Sequence, residues 1–148
     1  MGKMSLLSQM PALPLLDPGY KLVKELKKRN LRVTSCPGPS SPIVAITLSG
    51  LPSDKFFFSG FLPVKVKAKK DYLEELKNIK STLIFFESSN RIIKTLGTIL
   101  EIFGNRKISI CRELTKKFEE IITSKITEVI KELSLRENIK GEIIIIVE

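Results

Sequence analysis

Residues 82–100 read Thr-Leu-Ile-Phe-Phe-Glu-Ser-Ser-Asn-Arg-Ile-Ile-Lys-Thr-Leu-Gly-Thr-Ile-Leu, and this stretch decides the fold class. Thr82 to Phe86 are a short apolar run of strand length, the pattern of a buried strand. Ile92, Ile93, Leu96, Ile99 and Leu100 then recur at the helical period of about 3.6 residues, and Gly104 closes that helix at the C′ position. Downstream, Ile108–Arg112 and Phe118–Ile122 read as strands, and Ile126, Val129, Ile130 and Leu133 form another helical stripe. Ile143–Val147 is apolar at every position, which predicts a central strand in a sheet covered on both faces. Upstream, Tyr72, Leu73, Leu76 and Ile79 mark a helix and Lys55–Phe61 an aromatic strand. The alternation reaches back to Asp17, a helix N-cap with Pro18 at the first helical position, ahead of Leu22, Val23 and Leu26. Lys27–Asn30 stops that helix, Leu31–Ser35 reads as a short strand, and Ser40 caps a helix running to about Ser49. The class is α/β.

Composition narrows the function. The chain has 148 residues, 43% hydrophobic and 28% charged, with mean hydropathy +0.08, so it can build a core and is not a disordered tail. Ile143–Val147, its longest aliphatic run, is far short of the ~20 residues that cross a bilayer. Met1–Pro14 lacks a basic stretch followed by a continuous apolar one, so neither a membrane span nor a signal peptide is expected. Cys36 and Cys111 lack CxxC spacing and histidine is absent, which excludes a disulfide scaffold, a His-based zinc site and every His-dependent triad. No metal site is expected. A net charge of +9 and a pI near 9.6 favour a polyanionic partner, although a lysine-rich surface that only keeps the protein soluble explains the same charge.

Three segments sit where α/β proteins bind ligands. Pro37-Gly38-Pro39-Ser40-Ser41 lies between a strand and a helix and offers a main chain that a ligand can approach; ordinary Pro-Gly turns look the same. Glu87-Ser88-Ser89-Asn90-Arg91 lies at another strand-to-helix junction, its plain alternative being a serine cap with a surface ion pair. Arg112-Glu113-Leu114-Thr115-Lys116 concentrates charge at a strand end, where a solvated loop is the default.

In order, Asp17-Pro18-Gly19-Tyr20, the 37–41 turn, Ser49–Asp54, Gly60-Phe61-Leu62-Pro63, residues 87–91, residues 112–116 with Glu119-Glu120, and Lys140-Gly141-Glu142 resemble the tetrapyrrole methylase superfamily. Within it they are similar to the bacterial enzymes that methylate the 2′-hydroxyl of a cytidine in 16S ribosomal RNA. The resemblance covers the chain from Asp17 onward. It implies two α/β domains with S-adenosyl-L-methionine in the cleft between them. Residues 1–50 would be a remnant of the N-terminal cofactor-binding domain, and 51–148 a complete C-terminal α/β domain with a mixed sheet, the break falling at Gly50–Ser53. It implies cofactor contacts at Pro37, Gly38, Ser40, Ser41, Phe86, Glu87 and Thr115. Proton acceptors would be Glu87, Glu113 or Glu119, in no fixed order. RNA contacts would come from Lys65, Lys67, Lys69, Lys70, Arg91, Arg112 and Lys116. The implied partner is 16S ribosomal RNA in the small ribosomal subunit, in the cytoplasm and without a membrane, with homodimerisation left open.

The sequence also departs from the family. Ser89-Asn90 replace its Pro-His, and Phe118 replaces a further His. The first strand and glycine-rich loop of the family have no counterpart ahead of Asp17, which gives the expectation of an N-terminal truncation. Gln9–Pro14 stand where the family has Ser-Asp-Ala-Gly-Thr-Pro. With one choice of codons for Gly-Lys-Asn-Val-Ala-Leu-Val-Ser-Asp-Ala-Gly-Thr-Pro, deleting a single adenine gives a re-reading that spells Gly2 to Leu13, so Met4–Pro14 is expected to be an out-of-frame reading. Two rival readings remain: a non-catalytic basic RNA-binding remnant, and a small-molecule methylase of the same superfamily.

Overall fold

The computed structural model describes residues 19–148, which form two compact units meeting at Ser41–Pro42. Asp17, Pro18 and Met4–Pro14, and the expectations that fall on them, lie outside the described residues.

The first unit holds α1 (Gly19–Lys28). Its end is set by Asn30, whose left-handed backbone (φ 55) directs the Asn30 N–H to Lys27 O at 3.0 Å and the Leu31 N–H to Leu26 O at 3.0 Å. These two bonds satisfy carbonyls that a helix end otherwise leaves open, and Lys27 and Lys28 lie at the negative end of the helix dipole. The expected strand at Leu31–Ser35 is absent, and residues 31–40 carry no regular structure. Thr34 and Ser35 are exposed and Val33 is half-buried, so the run has no apolar face to hold it in a sheet.

The second unit contains α2 (Ser41–Ser49, its first residue excepted), β1 (Phe56–Phe61), α3 (Val66–Leu76), β2 (Thr82–Ser88), α4 (Ile92–Phe103), β3 (Lys107–Arg112), β4 (Glu120–Lys125), α5 (Ile126–Ser134) and β5 (Glu142–Val147). The sheet order is β1-β2-β5-β3-β4, parallel between β1 and β2 and antiparallel elsewhere. β5 is central, as its unbroken apolar run predicts. Ile143, Ile145 and Val147 face the core built with α3, α4 and α5, while Ile144 and Ile146 face Ala45, Ile46 and Leu51. α2 therefore packs with the sheet, and the compact unit begins at Pro42, ahead of the expected break at Gly50–Ser53. β1 carries a bulge between Phe58 and Gly60, where the register with β2 shifts and Gly60 adopts φ 72.

Two edges differ from expectation. β4 starts at Glu120, because Phe118 is exposed in a turn closed by the Glu119 N–H on Lys116 O. α3 stops at Leu76, and Ile79 packs against the core from the loop that follows. No helix among the described residues is long and apolar enough to cross a membrane.

Candidate functional site

β2 and β3 flank β5, and the register places Glu87 and Arg112 on either side of Ile143. They are two strand spacings apart, roughly 10 Å, on the face that carries α3, α4 and α5. The two charged motifs thus share one end of the sheet.

Glu87 shares its side of β2 with Leu83 and Phe85 and is 2% exposed. Its Oε1 accepts the Ser88 N–H at 2.7 Å and lies 2.7 Å from Arg91 Nη2. Its Oε2 accepts the Thr95 hydroxyl at 2.6 Å, and Lys69 Nζ donates to Thr95 Oγ1 at 2.6 Å while standing 3.8 Å from Oε2. Desolvation, the largest effect, holds Lys69 below the ordinary lysine range; Glu87 opposes that shift and Arg91 adds to it. Lys69 therefore cannot meet RNA as expected, because its ammonium is buried and committed. Thr95 was not singled out from sequence, yet both residues sit on apolar helical stripes, Lys69 four before Leu73 and Thr95 three after Ile92. A serine cap at this junction is also ruled out: the N-cap of α4 is Arg91, without a side-chain cap, and its ion pair with Glu87 is buried on the glutamate side.

Beyond β3 the chain turns sharply, with Glu113 at φ 49 and Thr115 at φ 63, two non-glycine residues in the left-handed region. Such a backbone persists only where its surroundings hold it. The Glu113 N–H donates to Glu142 O at 3.0 Å, and Glu113 Oε1 accepts the Glu142 N–H at 2.9 Å and Lys116 Nζ at 3.1 Å. Lys116 Nζ also reaches Glu142 Oε2 at 2.9 Å. Gly141, at φ 103, leaves the space that Glu113 fills, since a Cβ there would lie 2.5 Å from Glu113 Cγ. The Glu142 N–H, then Lys116, hold the Glu113 carboxyl below its usual range. Glu119 Oε2 accepts the Thr115 N–H at 2.6 Å. Arg112 Nε donates to Glu120 Oε2 at 2.9 Å, and Arg136 grips both Glu120 oxygens at 2.8 and 2.9 Å. Arg136, helped by Arg112, holds the Glu120 carboxyl at about 2. Arg136 was missed from sequence; its spacing of four from Glu132, to which it also donates at 2.9 Å, was the available signal.

The remaining expected residues are dispersed. Phe86 points to the opposite sheet face from Glu87, is half-buried, and packs edge-on against Phe58 at 4.9 Å and Phe61 at 5.4 Å between ring centres. Pro37, Gly38, Ser40 and Ser41 belong to the first unit; Pro37 and Gly38 are exposed. Lys65 and Lys67 are exposed at the start of α3, and Lys70 pairs with Glu101 at 2.6 Å. Burial pushes the Cys111 thiol up to about 11, so it is no nucleophile. No metal-ligand cluster occurs among the described residues.

The family of tetrapyrrole (corrin/porphyrin) methylases matches residues 12–130. The chain belongs to the tetrapyrrole methylase family. Its relatives include proteins named ribosomal RNA small subunit methyltransferase I. The one from Rickettsia prowazekii is 48% identical over 143 residues, covering 97% of this chain and 51% of the relative. That from Mesorhizobium japonicum is 48% identical over 132 residues, covering 88% and 45%. The chain thus spans about half the length of these relatives. Among solved structures, the methyltransferase CobJ superposes with a TM-score of 0.64 at 14% identity, covering 90% of this chain and 59% of that one. Uroporphyrin-III C-methyl transferase from Thermus thermophilus, complexed with S-adenosyl homocysteine, gives 0.57 at 17% identity, covering 91% and 61%. These structures establish the methylase fold, with the mixed sheet that the family resemblance implies.

Proposed function

We propose that this methylase chain serves S-adenosyl-L-methionine-dependent methylation of 16S ribosomal RNA in the small ribosomal subunit, at a cytidine ribose 2′-hydroxyl, in the cytoplasm. The observation that carries the reading is the 48% identity to the Rickettsia prowazekii small subunit methyltransferase over nearly the whole chain. The net charge of +9 supports a polyanionic substrate. The small-molecule alternative has no comparable support.

The cofactor fits part of what the described residues offer. Phe86, Phe58 and Phe61 give an aromatic surface at the C-terminal ends of the parallel strands, where α/β sheets take nucleosides. Thr115 is a further candidate contact in the second unit, and Pro37, Gly38, Ser40 and Ser41 in the first rest on the family resemblance alone. The Glu87 carboxylate does not fit as a direct ligand, because both oxygens are taken. When bound, the cofactor supplies an electrophilic methyl on a sulfonium.

The chain must then orient the ribose and accept its hydroxyl proton. Of the three candidate carboxylates, Glu87 is buried and saturated, which favours a positioning role. Glu113 is held by Lys116 and the Glu142 N–H and is a weakened base. Glu119 is exposed and keeps Oε1 uncommitted among the described residues, which favours it as the proton acceptor. Lys65 and Lys67 are the expected RNA contacts without ion-pair partners among the described residues, and Arg91, Arg112 and Lys116 would have to leave theirs.

Labelled S-adenosyl-L-methionine and small subunits lacking the modification test the proposal, using the chain alone and joined to the part of the Rickettsia prowazekii relative that it does not cover. Label on a cytidine 2′-oxygen supports it. A folded joined protein that leaves the subunits unlabelled refutes it.

A further inference from the structure

The end of the sheet opposite Glu87 and Arg112 holds an open depression of about 580 Å³ that the proposed chemistry does not use. β2 runs from one end to the other over seven residues, roughly 20 Å. Lys55, Lys77, Lys80 and Arg106 line the depression and come from separate segments: the approach to β1, the end of α3, the loop into β2 and the loop into β3. Asp54 and Glu148 also line it, so four cations face two carboxylates and the balance is basic. Lys55 and Lys80 have no ion-pair partner among the described residues, and Lys77 has only Glu74 at 3.5 Å.

The walls are tied down. The Thr82 N–H donates to Lys55 O at 3.0 Å, Arg106 Nη1 donates to Glu148 O at 3.3 Å, and the Ile126 N–H donates to Arg106 O at 3.1 Å. Within this frame residue Ser81 contributes to the lining between Lys80 and Thr82, while its hydroxyl is turned away from solvent. Lys55 and Lys80 thus leave uncompensated positive charge within a fixed frame, the arrangement that attracts a polyanion.

We propose that this depression binds a phosphate group, and that its natural source is an RNA backbone phosphate well away from the methylated nucleotide. The ammonium groups of Lys55 and Lys80, with Lys77 and Arg106 beside them, supply the charge that meets the phosphate oxygens. The choice of RNA rests on the function proposed above; the phosphate chemistry does not.

Amide resonances of the full chain give the test. Inorganic phosphate and, separately, a short single-stranded RNA should each shift the Lys55, Ser81 and Thr82 amides. K55Q/K80Q, two exposed positions whose exchange should leave the thermal midpoint unchanged, should abolish the phosphate shifts and weaken RNA binding several-fold. It should also lower the slope of log K against log salt by about 1.4, for two single-strand contacts. Phosphate shifts without RNA binding would support the anion site, make free phosphate its ligand, and count against the RNA reading. Unmoved amides with both probes, or an RNA affinity and slope unchanged in K55Q/K80Q, would overturn the inference.

Discussion

Glu87→Gln preserves the shape of the buried side chain and removes the charge that Lys69 and Arg91 are arranged around. Gln can still accept from Ser88 and Arg91 through its oxygen. Its amide would, however, face Thr95 Oγ1, which already receives Lys69 Nζ at 2.6 Å, so two donors would converge on one hydroxyl. Lys69 would be left buried with no carboxylate near it. Removing one partner of a buried ion pair costs ~3–5 kcal/mol. In a chain of this size that corresponds to a fall of roughly 8–15 °C in the thermal midpoint. Lys69→Met should cost only about 0–1 kcal/mol, because its ion pair is the long one at 3.8 Å and a desolvated ammonium is replaced by an apolar chain of similar reach. The double variant should recover much of the Glu87→Gln loss. Urea denaturation followed by circular dichroism measures all three. Lys69 also gives a pH signature. Its folded pKa lies below the unfolded value of ~10.4, so the unfolded chain binds more protons in the window beneath that value. Stability should therefore rise with pH there, and Lys69→Met should remove the rise. A Glu87→Gln cost below ~1 kcal/mol, or a Lys69→Met cost exceeding it, would refute the account of Glu87 as the hub.

Gly141→Ala should destabilise by ~1–3 kcal/mol, through a Cβ driven into Glu113 and a strained φ, and Glu113→Gly should relieve part of that loss in the double variant. Glu120 is held at about 2, so it contributes stability above the ordinary glutamate pKa that is lost as pH falls through about 2; Glu120→Gln should flatten acid denaturation between roughly pH 5 and pH 2. Lys65→Ser with Lys67→Ser should weaken RNA binding about equally across sequences and lower the salt slope by about 0.7–0.9 per contact, read by filter binding at several salt concentrations.

The sequence announces elements whose residues agree with one another over their whole length. β5 is apolar at each position from Ile143 to Val147, and only a strand buried on both faces needs that, so its central place was legible. α4 was legible because its stripe and Gly104 point the same way. Leu31–Ser35 misled, because strand-like residue types say nothing about whether a neighbouring strand is there to pair with them. At the site, the shared location of the 87–91 and 112–116 motifs follows from β5 lying between β2 and β3, a long-range pairing that no local pattern encodes. Lys69 was misread as a phosphate contact because four lysines crowd residues 65–70 and charge runs ordinarily face solvent. Its helical spacing to Leu73 and Leu76 carried the opposite signal, one that burial then enforced.

The place of β5 in the sheet has a consequence for how the protein is made. Synthesis delivers β1 and β2 first and the β3–β4 hairpin next, and within the sheet these halves are joined only by a strand that emerges after both. Until then Ile84, Phe85, Ile108 and Ile110 lack the neighbour that covers them, and β2 and β3 each offer an open edge. The nascent chain must therefore hold two incomplete sheets apart, a state prone to pairing with other chains. Mutations that weaken β5 should reduce soluble yield during translation more than they reduce the stability of protein already folded.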